Sequence, residues 1–163
     1  MRDKRFITEH RGGPLSFQKH RMLAAWAADC AEHVLPLFSN QHPNDNRPWI
    51  AIEAARAWSL GEITVGEARK VSIEAHAAAR ESDGNAAQFA ARAAGHAAGT
   101  AHMADHAPGA AMYAIKAIKA TTNKQTEEAA IKQEHRWQVE HLPEEIQALI
   151  LSTFEKKYAF LGL

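Results

Sequence analysis

The chain has 163 residues, enough for one domain with a buried core, and alanine fills 34 of them. So much of the strongest helix former, with β-branched residues that never form a run, predicts an all-α fold. Nineteen basic residues balance nineteen acidic ones, which argues against a nucleic-acid binder driven by bulk charge.

The charge is nevertheless uneven. Met1 to Arg21 carries six Lys/Arg against two Asp/Glu, net +4, and Met22 to Leu163 carries 13 against 17, net −4. No basic stripe interleaved with aromatics follows the N-terminal run, so nucleic acid is not the expected partner. Cys30 is the only cysteine, which rules out an intrachain disulfide and suits a reducing compartment. The N-terminus lacks the apolar segment of a signal peptide, and no apolar run approaches the ~20 residues of a membrane span. The expectation is a soluble, cytoplasmic protein with no membrane partner.

Residues 1–15 are polar and contain Gly12, Gly13 and Pro14; they read as a flexible arm preceding one helical domain over 16–163. The RGGP run lacks the spacing and preceding strand of a phosphate loop. A first helix begins near Ser16, a plausible N-cap, with Leu23, Trp26, Cys30, Val34 and Leu37 at steps of three and four. Cys30 on that stripe reads as a small core residue. Pro36 is expected to end this helix soon after it, with a loop over 39–46. The second helix starts at Asp45 or Asn46, holds Pro48 in its first turn and stops at Gly61. Thr64 and Glu67 form a capping box that opens the third, which runs to about Glu81.

The fourth helix is expected from Asn85 to His106, with Pro108 interrupting it before a fifth that reaches Ala120. Thr122 and Gln125 form a second candidate capping box for a charged sixth helix ending at His141. Glu144 and Glu145 open the last, where acidic residues suit the helix dipole, and Ile146, Ile150 and Phe154 line its apolar face. The apolar tail 160–163 is expected to dock on the body. About seven helices with short links imply a bundle or an array of helical pairs, and no fixed-period motif marks a solenoid.

Chemistry has few places to reside. Ala91, Gly95 and Gly99 form a small-xxx-small row, which in a soluble helix points to a tight internal crossing. His102 and His106 stand i,i+4 on the expected fourth helix. With Asp105 or His76 they could ligate a transition metal, although no H-E-x-x-H, paired E-x-x-H or cysteine cluster supports them; capping or packing is the plainer reading. Glu53, Arg56, Arg69, Glu74 and Arg80 lie among alanines and tryptophans. They read as one interhelical ion network or, with His76 and His96, as a polar groove for a ligand or partner. No catalytic triad, P-loop or dinucleotide fingerprint is present, and no cofactor is implied.

The block RPWIAIEAARAWSLGEITVGEAR over 47–69 and the block ARAAGHAAGTAHMADHAPGAAMYA over 91–114 together resemble a bacterial helical family of putative immunity proteins associated with polymorphic toxins. The resemblance extends from about Trp26 to Ala120. It implies an intracellular antidote that binds a cognate protein toxin and blocks it, and transfers no functional residues. The −4 body would then steer towards a basic toxin. Two other readings stay open: a metal- or small-molecule-binding helical protein, or an enzyme, using His76, His96, His102, Asp105 and His106; and a homodimer formed through the Ala/Gly face.

Overall fold

The computed structural model describes residues 3–161, which form eight α-helices and no strand. They are α1 (Phe17–Val34), α2 (Pro36–Ser39), α3 (Arg47–Ser59), α4 (Val65–Glu81), α5 (Asn85–Gly99), α6 (Ala107–Lys119), α7 (Glu127–Glu140) and α8 (Glu144–Lys157). The all-α expectation holds.

α5 is the hub. Nine of its fifteen residues are buried, seven alanines and two glycines, and a helix buried on so much of its surface sits among other helices rather than on them. Side chains no larger than a methyl let α4 and α6 approach closely on either side, while α1, α2 and α3 also pack on it. α7 lies on α6, and α8 touches α1 and α6. The large core side chains come from the periphery of this hub: Trp26 from α1, Phe38 from α2, Ile52 from α3, Ile115 from α6, and Ile146 and Ile150 from α8.

Local signals set the starts of several helices. The Ser16 hydroxyl accepts from the Lys19 N–H, and Thr64 and Glu67 make a complete capping box. Gly61, at φ +77°, ends α3 in a left-handed conformation that costs glycine little. Pro36 differs from expectation: α1 has already ended at Val34, and Pro36 opens the four-residue α2 that takes Ser39 out of the loop.

The larger corrections concern residues 99–126. α5 stops at Gly99, not His106, and residues 104–106 form a separate 3-10 turn. The Thr100 hydroxyl bonds the His96 carbonyl, and the Thr100 N–H bends back to the carbonyls of His96 and Ala97; this tightening of the last turn ends the helix. Pro108 interrupts nothing; it lies in the first turn of α6, where its missing N–H is not needed. The Thr122 and Gln125 capping box does not form. Instead the Asn123 carboxamide oxygen accepts from the N–H groups of Gln125 and Thr126, and α7 begins after that turn.

The N-terminal segment expected to have little structure is held to the body. Phe6 is fully buried, Thr8 and Leu15 are nearly so, and the Thr8 and Leu15 backbones form an isolated bridge. Arg5 reaches Ser152 on α8 at 2.6 Å. His20 ties the segment to the hub, its Nε2 lying 2.6 Å from the Thr100 carbonyl and its Nδ1 2.9 Å from the Thr8 hydroxyl. In a neutral ring the carbonyl requires the N–H at Nε2, so Nδ1 accepts from Thr8. At the other end, Phe160 is 66% exposed; Lys116 satisfies its face from 5.8 Å instead of the core enclosing it. The rest of the expected docking tail, 162–163, lies outside the described residues.

Candidate functional site

The structure gathers five of the ten histidines into two aromatic stacks, one within the helical hub and one on its outer face. The inner stack joins His76 of α4, His96 of α5, His106 at the start of α6, and Tyr113 of α6. Ring centroids of His96 stand 5.3 Å from His76, 4.9 Å from His106 and 5.0 Å from Tyr113. The Nδ1 atoms of His96 and His106 are 3.0 Å apart, so one ring donates and the other accepts.

Glycines make room for this stack. A Cβ on Gly95 would fall 2.6 Å from the His76 ring, one on Gly109 2.8 Å from His96 Nδ1, and one on Gly99 3.3 Å from both His106 and the Ser72 hydroxyl. The small-residue row of α5 therefore seats imidazoles and the Ser72 hydroxyl, which donates to the Gly95 carbonyl at 2.7 Å. Burial first, then the Arg92 guanidinium, push His76 down to about 4; burial first, then His106, push His96 down to about 3. Both rings are neutral near pH 7, and the Nδ1 of His76 is buried without a hydrogen-bond partner.

His102 does not join them. It lies in the turn after α5 and lines a small cavity of about 70 Å³ with His10, His20 and Trp58. Because α5 ends early, His102 and His106 do not share a helix face. Asp105 is half-buried in the 3-10 turn. Among the described residues, no group of three His, Cys, Asp or Glu side chains is placed to hold a metal ion. Cys30 is fully buried, and burial pushes its thiol well up, as befits a core residue.

The expected ion network divides. Arg56 of α3 bonds Glu53 one turn back and reaches across to Asp29 and Glu32 of α1. Arg69 and Arg80 are exposed and Glu74 is half-buried on α4; among the described residues no ion pair joins them to Arg56. The register of α3 explains the split: Arg56 projects toward α1, not α4. Buried charge would need full pairing, but this cluster is half-exposed and needs only surface pairing.

The outer stack lies beside that cluster, between α1 and α7. The His33 ring stacks on Trp137 at 3.7 Å with 10° between planes, and Trp137 stacks with His141 at 4.1 Å. His33 Nδ1 contacts a carboxylate oxygen of Glu134 at 2.8 Å. Glu134 is only 3% exposed; its other oxygen accepts from Gln138, whose amide also donates to the Ala111 carbonyl. Two open clefts of about 390 and 400 Å³ share His33 and Trp137. One is lined also by Glu134, Arg136 and Glu140, the other by Asp29, Glu32 and His141. Counting the Arg56 cluster, this face presents five carboxylates (Asp29, Glu32, Glu53, Glu134, Glu140) against two guanidiniums (Arg56, Arg136).

Sequence reasoning named Glu53 and Arg56 of this face but missed His33, Glu134, Trp137 and His141. One signal was present: Glu134 and Gln138 follow Ile131 at helical spacing, so the buried side of a charged helix carries two polar residues.

The inner stack can pack and titrate. The outer one can bind: a half-buried tryptophan, exposed imidazoles, carboxylates and open clefts coincide there. A family model described as Imm-5 like putative immunity protein matches residues 13–145, a span that includes both stacks. No curated protein and no solved structure matches the chain.

Proposed function

The chain belongs to the Imm-5 like putative immunity protein family, and on that premise we propose that it binds a cognate protein toxin and neutralises it by occlusion. The observation that carries the reading is the α1–α3–α7 face, where a half-buried tryptophan stands between two clefts on an acidic surface. A tryptophan flanked by concave surface is the usual form of an interface anchor, and surrounding charge steers the encounter. The partner is a protein with a basic contact surface, and the action is binding rather than catalysis. In the described chain no helix is long and apolar enough to cross a membrane.

The test is a rescue. The tagged full chain captures proteins from its native host, and each captured protein is expressed in a second host with and without this chain. A captured protein that arrests growth alone but not beside this chain supports the reading, and the combined Asp29→Asn, Glu32→Gln variant then rescues less well. No captured protein whose toxicity is relieved overturns it.

A further inference from the structure

We propose that the clefts beside Trp137 receive an arginine side chain of the protein partner. The inference deepens the neutralisation reading and rests on it for the partner, but the chemistry is read from the clefts themselves.

Two features of the site select the ligand. The first is charge. Glu134 and Glu140 line one cleft, and Asp29 and Glu32 line the other. Arg56 is already engaged by Asp29, Glu32 and Glu53, and Arg136 lines the first cleft, so five carboxylates against two guanidiniums leave the face net negative. A net acidic surface fits a cationic ligand, whose charged group only donates.

The second feature is shape. The wall common to both clefts is the stack of His33 on Trp137, whose facing planes already cover each other. His141 also stacks on Trp137, and the planar surface left for a ligand is that of the exposed imidazoles, His33 and His141. A guanidinium is flat, is weakly hydrated, stacks on aromatic planes and donates in a fork that matches a carboxylate. An ammonium carries the same charge but is compact, strongly hydrated and unable to stack. Anionic ligands are disfavoured by the carboxylates, and a purely apolar ligand would leave those carboxylates desolvated.

The experiment follows the Trp137 indole N–H resonance of the isotope-labelled full chain, assigned by Trp137→Phe, during titration with acetylated tri-arginine amide and, separately, tri-lysine amide. The expected result is a saturable shift at Trp137, with the lysine peptide about five-fold weaker because it lacks the flat, forked guanidinium. Glu140→Gln and Glu32→Gln, both at accessible positions, each weaken the arginine peptide while leaving the melting temperature in place. Equal binding of the two peptides, or shifts that spare Trp137, overturns the assignment. If the arginine peptide fails at the cleft while the chain still relieves a captured partner's toxicity, the cleft assignment falls and neutralisation stands. If the peptide binds selectively and no toxicity is relieved, neutralisation falls and the arginine site stands.

Discussion

The two stacks use the same rings for opposite ends. His96 meets His106 and Tyr113 inside the hub, where three glycines bring backbone up to the imidazoles and burial keeps His76 and His96 neutral. His33 meets Trp137 at the surface, where open clefts and carboxylates surround the rings. What an imidazole does is therefore set by what faces its edges. Where its edges face glycine and alanine it is a spacer between helices; where they face acid and open space it is part of a recognition surface.

The comparison breaks first, and hardest, at Gly109. Its added Cβ would lie 2.8 Å from His96 Nδ1, and His96 has no room to yield because His76, His106 and Tyr113 contact it. Alanine ordinarily gains up to ~1 kcal/mol in a helix; here we expect Gly109→Ala to lose about 2 kcal/mol by chemical denaturation, as overpacked cores do. Gly95→Ala is the sharper control. Its clash is closer, 2.6 Å from the His76 ring, but within the stack His76 meets only His96, so that ring can swing outward and the loss is smaller. A gain in stability at Gly109 would mean the inner stack is loosely packed. Neither variant alters partner binding if the outer face alone recognises it.

Acid gives the next effect. Folded His96 titrates at about 3 and His76 at about 4, below the ordinary 6.5. The unfolded chain therefore binds protons first as pH falls, and the stability contributed by the neutral rings, fully present above pH 6.5, is lost on the way down to those values. At pH 5 His96 alone accounts for roughly 2 kcal/mol, from ~1.5 units at 1.36 kcal/mol each. Carboxylates held low by arginine, such as Asp3 at about 2 beside Arg5, add losses mainly below pH ~4. Denaturation at pH 7 and pH 5 isolates the histidines, and His96→Gln flattens the difference. Equal stability at both pH values would show the rings to be solvated.

These two tests also mark where the sequence was readable. Ser16, the Thr64 and Glu67 box, and the Ile146, Ile150 and Phe154 stripe are local devices, and each appears where spacing predicted it. The end of α5 was not local. Residues 100–106 carry no strong breaker, so pattern alone extends the helix, whereas the structure bends it at Thr100 and returns His106 against Gly99. The row of Gly95 and Gly99 was legible as a close approach, but what approaches is an imidazole as well as a helix. The outer site was hidden by separation: His33 and Trp137 come from helices far apart in the chain, and a lone histidine at the end of α1 has no signature. Arg56 and Glu53 were visible as a pair, yet their partners Asp29 and Glu32 depend on the register of α3 against α1.

On the outer face the effects are on binding. Neutralising Asp29 and Glu32 together (D29N, E32Q) removes two of the five carboxylates and is expected to weaken a basic partner about ten-fold at low salt, mostly through slower association. The penalty shrinks as salt screens the remaining charge. Stability changes little, since exposed ion pairs contribute little. Stopped-flow association at two ionic strengths separates this from a contact effect, which would appear in dissociation and ignore salt.

Arg56→Gln carries the smallest effect and the finest distinction. Burial opposes the charge of Arg56, but hydrogen bonds to Glu32, Asp29 and Glu53 outweigh it and hold the guanidinium firmly cationic. If the cluster serves as a structural clamp between α1 and α3, removing its centre leaves three carboxylates repelling one another and loosens the helices. If it serves as part of a recognition surface, the half-exposed carboxylates rehydrate, stability falls by less than about 1 kcal/mol, and the face becomes one charge more negative. The second outcome is expected because α1 and α3 pack on each other and both feed fully buried apolar residues into one core, Ala27 and Ala31 from α1 and Ile52 from α3. A basic partner would then associate faster at low salt, and its rate would fall more steeply as salt rises. A charge deletion that speeds binding without unfolding the protein is hard to reconcile with a structural role, and it would place the acidic surplus of this face among the determinants of recognition.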